Sequence, residues 1–144
     1  MVSVSPWSVL SLSAMGKGLD MSRQKILIID DERPLCELLL EALCMQGPYH
    51  VDHALNGKEG YEKYKALLPD LVVMDIHMPL MDGYESSRKI KAFDPSAKIL
   101  VLTGNTKDAR ARRAMEEGIA LKLLQKPLRL KELSRVIEDS LSST

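Results

Sequence analysis

Cysteine is scarce in this chain, net charge is missing, and no apolar run is long enough to cross a bilayer. The two cysteines, Cys36 and Cys44, fall in one amphipathic stretch. On a helix they would sit two turns apart, about 12 Å along the axis, beyond the reach of a disulfide. Both are expected to be small core residues in a reducing compartment, which argues against a disulfide-stapled secreted domain. Twenty basic residues balance twenty acidic ones, so composition asks for neither nucleic acid nor an anionic membrane as partner. The local cluster Lys107, Arg110, Arg112 and Arg113 reads as a solvated helix face. No stretch approaches the ~20 apolar residues of a membrane span. A secretory signal is missing too, because no Lys or Arg precedes the first apolar residues and Ser8, Ser11 and Ser13 interrupt them. The expected location is the cytoplasm.

Apolar content is ample. Hydrophobic residues make up 45% of 144, enough for the core of one domain. Residues 1–21 stand apart, rich in Ser and Gly and carrying the only tryptophan, Trp7. They are expected to form a disordered N-terminal extension, with Met21 a plausible second start. Gly16-Lys17-Gly18 is not a P-loop, since it lacks the upstream Gly and the Ser/Thr after Lys. Residues 22–144 are expected to fold.

From Lys25 onward, short apolar runs alternate with longer helical patterns. Strands are expected at Ile26–Ile29, Val51–Ala54, Leu71–Met74, Ile99–Leu102 and Ala120–Leu124. Helices are expected at Pro34–Met45, Lys58–Leu68, Tyr84–Ala92, Thr106–Glu117 with Gly118 as cap, and Leu130–Leu141. Near-continuous apolar strands imply helices on both faces of a parallel sheet, and right-handed crossovers then leave few topologies. The fold class is α/β, a five-stranded doubly wound sheet.

Acids end two of the apolar runs. Asp30-Asp31 follows the first strand and Asp75 the third. Carboxylates at the C-terminal tips of such strands converge on the crevice of an open α/β sheet. Three carboxylates there repel one another unless a cation joins them, and a hard, oxygen-only site suits Mg²⁺, which accepts phosphate oxygens in its shell. The chain looks built for phosphate chemistry on a carboxylate. His50, His53 and His77 have no metal-ligand spacing to one another, and partly exposed strand or loop positions are expected for them.

Asp30-Asp31, Asp75, Thr103 after the fourth strand and Lys126-Pro127 after the fifth, with Val72–Gly83 reading VVMDIHMPLMDG, resemble the receiver domain of two-component response regulators. The similarity covers about residues 24–142. It implies a flavodoxin-like strand order 2-1-3-4-5 with the crevice at the switch point. It also implies that Asp75 takes a phosphoryl group from a sensor histidine kinase or phosphotransfer protein. Asp31, Asp75 and the backbone carbonyl of His77 would ligate Mg²⁺, and Asp30 would hold a metal-bound water. Lys126 and the Thr103 hydroxyl would contact phosphoryl oxygens. A cis peptide is usual in the family before the proline, here at Lys126-Pro127. By this resemblance the chain is a phosphoacceptor and not an enzyme in the ordinary sense, acting alone through a downstream effector protein and not directly on nucleic acid.

Two features depart from the family. The position three before the lysine commonly carries Tyr or Phe and here is Leu123. Gly118 lies eight residues before Lys126, one more than usual, which requires either a longer loop or a bulged strand. Alternatives are a receiver fragment of a larger regulator, or an aspartyl-phosphate hydrolase of the haloacid dehalogenase type. The hydrolase needs an acid two residues after the nucleophile, where His77 stands.

Overall fold

The computed structural model describes residues 23–142; the expected extension, residues 1–21, therefore lies outside the described residues. Within them, strands and helices alternate without exception: β1 Gln24–Ile29, α1 Arg33–Gln46, β2 Tyr49–Ala54, α2 Gly57–Leu67, β3 Leu71–Asp75, α3 Gly83–Phe93, β4 Ile99–Thr103, α4 Ala109–Glu116, β5 Lys122–Gln125 and α5 Leu130–Ser142. The strands form one sheet in the order β2-β1-β3-β4-β5, with every pair parallel. The chain leaves β1 toward one edge and returns through β3 toward the other, so the crevice opens between the C-terminal ends of β1 and β3.

Strand side chains alternate between two cores. Leu27, Ile29, Val72, Met74, Ile99 and Val101 pack with Tyr64, Ile90, Ala111 and Ala114 of α2, α3 and α4. Ile26, Ile28, Leu71, Val73, Leu100 and Leu102 pack with Cys36, Leu39 and Leu43 of α1 and Leu133, Val136 and Ile137 of α5. Burial on both faces is why the strands read as unbroken apolar runs. Each such Leu, Ile or Val contributes about 1.5–3 kcal/mol of hydrophobic stabilisation.

Local signals set most helix ends. Asn56 caps α2 by accepting from the Glu59 amide, and Asp82 caps α3 by accepting from Glu85. α2 stops one residue earlier than expected, with Leu68 in the left-handed region at φ 48°. The start of α4 is a larger correction. Thr106 and Lys107 are not helical, because the Asp108 carboxylate takes the amides of Arg110 and Ala111 and makes Asp108 the cap.

The fifth strand also shifts, from the expected Ala120–Leu124 to Lys122–Gln125. The amides of Ile119 and Ala120 both donate to the Ala114 carbonyl, which uses them to finish α4. From Leu100↔Lys122 to Thr103↔Gln125 the pairing of β4 and β5 is regular. The extra residue is therefore absorbed in the loop and not by a bulge. Cys36 is buried as expected, but Cys44 is exposed and not a core residue. His50 is likewise not partly exposed but buried, at the second position of β2.

Candidate functional site

Asp30 is the first residue past β1 and has no exposed surface. Its Oδ1 accepts from the Glu32 amide at 2.9 Å, and its Oδ2 lies 2.9 Å from Lys126 Nζ. Asp75 ends β3 at 4% exposure, with Oδ1 3.5 Å from the same ammonium and 3.3 Å from the His77 amide. Lys126 thus joins two carboxylates that the sheet places on adjacent strands. Its amide donates to the Thr103 carbonyl at 2.8 Å, tying the loop after β5 to the end of β4. The Lys126–Pro127 peptide bond is cis, as the resemblance led us to expect.

Burial first, and charge crowding after it, set the acid–base balance of the site. Burial pushes the Asp75 carboxyl up to about 6, the neighbouring Asp30 carboxylate adds to the rise, and Lys126 offsets only part of it. Burial alone would lower Lys126, but its contacts with Asp30, Asp75 and Glu32 win and leave it raised. Asp75 is a carboxylate held among like charges with too little cation beside it.

That donor set suits a hard divalent cation. Carboxylate oxygens of Asp30, Asp31 and Glu32 lie within 4.8 Å of one another, with Asp31 and Glu32 facing solvent. Asp75 is not one of that trio; it meets the group through Asp30 and Lys126. Carboxylate-only ligation next to a buried acid fits Mg²⁺ better than a softer metal.

Glu32 is a member of the site that sequence reasoning missed. Its side chain is 62% exposed, caps nothing, and reaches Lys126 Nζ at 3.3 Å. Thr103 is fully buried at the end of β4, yet its hydroxyl faces its own loop. Oγ1 donates to the Asn105 carbonyl at 2.9 Å and accepts from the Asn105 amide at 3.1 Å. Leu123 is half-buried and packs against the core on the α2–α3–α4 side.

Beyond the backbone carbonyl that the resemblance assigns it, His77 has an exposed side chain on the loop after β3, as its sequence position leads one to expect. Its side chain sits 3.1 Å from Asp108 through Nε2, and Arg110 Nη2 lies 2.9 Å from Nδ1. A guanidinium can only donate, so Nδ1 accepts and the Nε2 proton faces Asp108. Arg110 Nη1 also reaches Asp82, the cap of α3, at 3.0 Å. One clasp therefore links the β3–α3 loop to the starts of α3 and α4. Arg110, and Arg113 through Tyr84 and Glu117, are engaged and not simply solvated. With both ring nitrogens occupied, His77 is a poor stand-in for the acid that a hydrolase would need there.

Two glycines bring the loop close. A Cβ on Gly83, the first residue of α3, would meet the Asp75 carbonyl oxygen, and one on Gly57 would meet that of Met81. The loop after Asp75 is thus pressed against backbone on both helices.

Comparison with known proteins agrees with this geometry. A family model described as response regulator receiver domain matches residues 26–138. The chemotaxis protein CheY of Thermotoga maritima is 36% identical over 115 residues, covering 80% of this chain and 92% of that one. A CheY-like receiver domain protein from Methanospirillum hungatei superposes with a TM-score of 0.78 at 27% identity, covering 83% and 94%. The response regulator protein TrrA of Thermotoga maritima, solved in complex with Mg²⁺ and BeF, gives 0.72 at 32% identity over 81% and 98%. The family model spans most of the chain, the sheet has the strand order the resemblance implied, and acids stand at the tips of β1 and β3. This chain belongs to the response regulator receiver family.

Proposed function

We propose that the protein accepts a phosphoryl group on Asp75 from the phosphohistidine of a sensor histidine kinase or phosphotransfer protein, and passes the signal to an effector protein. The observation that carries this reading is the 3.5 Å approach of Lys126 Nζ to the buried Asp75 carboxylate. One Asp75 oxygen attacks phosphorus in line as the P–N bond to the donor imidazole breaks, so the chain's work is positioning and charge neutralisation. Lys126 would move from Asp30 and Glu32 toward a phosphoryl oxygen, and the amide of His77 holds the carboxylate in place.

Asp31, Asp75 and the His77 carbonyl would hold Mg²⁺, with Asp30 supporting through water; the metal would supply positive charge against the incoming anion. Thr103 would turn its hydroxyl from Asn105 toward the phosphoryl group, a rearrangement that shifts the loop after β4. Signalling is thus proposed to run through Thr103 and the loop after it, since Leu123 offers no hydroxyl.

Labelling with acetyl phosphate and Mg²⁺, followed by mass spectrometry, tests the assignment. Label is expected on Asp75 alone and should vanish in Asp75→Ala and in excess chelator. Wild-type labelling in either case overturns it.

A further inference from the structure

We propose that Asp108 and Arg110 are positioning residues that hold Thr103 in its resting orientation, so that the clasp on His77 sets how readily the site takes up a phosphoryl group. The inference rests on the phosphoacceptor reading and adds a restraint to it. Both helix-capping carboxylates divide their oxygens. Asp108 Oδ1 accepts from the amides of Arg110 and Ala111 at the start of α4, while its Oδ2 faces His77 Nε2 at 3.1 Å. Asp82 Oδ1 accepts from the Glu85 amide at the start of α3, while its Oδ2 takes Arg110 Nη1 at 3.0 Å. Capping alone uses one oxygen of each. The second oxygens, with Arg110 Nη2 on His77 Nδ1, stitch the two helix starts to the loop after Asp75.

The stitched end meets the switch at one atom. The Asn105 carbonyl accepts from the Thr103 hydroxyl at 2.9 Å and from the Asp108 amide at 2.9 Å. Thr103 gives up that bond if it turns to a phosphoryl oxygen while the loop stays still. If Asn105 follows instead, the pull falls on Asp108, which the His77 ring holds. Residues 104–107 are exposed, and a Cβ on Gly104 would meet nothing within 4 Å. Little packing restrains the loop, so its hydrogen-bonded ends carry the restraint. The contacts that fix the Asp108 end involve charged groups, which make the stronger hydrogen bonds.

A restraint that favours the resting orientation weakens binding of whatever favours the other one. Loosening the clasp should therefore strengthen capture of a phosphoryl mimic. Charge alone predicts something else. Asp108→Asn removes a negative charge and Arg110→Gln a positive one, so as simple neighbours of an anion site they would act in opposite directions. As members of the clasp they act in the same direction. Asn also keeps an oxygen for the α4 cap while setting its NH₂ group against the His77 Nε2 proton. That substitution cuts the clasp and spares the helix.

The test titrates the ¹⁵N-labelled full chain with beryllofluoride in the presence of Mg²⁺. Each variant should bind it about threefold more tightly than wild type. Without beryllofluoride, their resonances for residues 103–108 should already move toward the bound positions of the wild type. Arg112→Gln, exposed on the same helix, should match wild type. In a Thr103→Ala background the gain should vanish, because the restraint acts through that hydroxyl. Unchanged affinity, opposite changes in the two variants, or a gain that survives Thr103→Ala would overturn the proposal and leave the phosphoacceptor reading standing. Failure of beryllofluoride to bind the wild-type chain would overturn both.

Discussion

Asp75 stands where a carboxylate is least comfortable, and that discomfort can be measured. Its pKa is raised from 3.8 to about 6. The folded value exceeds the unfolded one, so the protonated group favours folding below about pH 4, and that contribution is lost as pH rises through about 6. In chelator, Asp75→Asn should be more stable than wild type at pH 7 by roughly 1–3 kcal/mol, with the gap closing toward pH 4. Urea unfolding across that range checks it; a gap independent of pH counts against the buried charge. Glu32 makes a second prediction. Neutralising it removes a competitor for Lys126 and one negative charge from the path of an anionic donor, so Glu32→Gln should accept phosphoryl a few times faster from acetyl phosphate. The strand-end acids were legible because they interrupt apolar runs. Glu32 and the His77–Asp108–Arg110 clasp were not, since contacts between polar residues thirty or more positions apart, 94 for Glu32 and Lys126, leave no periodic trace.

Helices and loops show where local chemistry overrides pattern. The apolar spacing of α1 and α5 gave their spans nearly to the residue. In α4 a capping aspartate outweighed the reading from Thr106, because its carboxylate satisfies two free amides that a longer helix would have bonded internally. α2 ends on Leu68, an exposed leucine in a left-handed conformation that Asn tolerates better. Leu68→Asn should raise stability by about 0.5 kcal/mol or more, read as a higher thermal midpoint. Gly83→Ala should do the opposite. With its Cβ against the Asp75 carbonyl, it should cost about 2 kcal/mol and slow phosphoryl acceptance. Unchanged melting would show that α3 can back away from the loop.

Across the whole molecule, carboxylates that repel in isolation should become a source of stability when a divalent ion is added. Mg²⁺ should raise the thermal midpoint in a concentration-dependent way through mass action, and Asp31→Asn should lose most of that response. A midpoint indifferent to Mg²⁺ in wild type would remove the metal from the site. The strand arrangement has a further meaning. β1 and β3 are apolar on both faces, so no polar side polices their alignment, and a slip by one residue would merely trade one core for the other. The aspartates at their ends forbid the trade, because sliding either strand inward would drag a charge into a dry interior. The acids proposed to make the crevice reactive are thus also the stops that keep its strands in register.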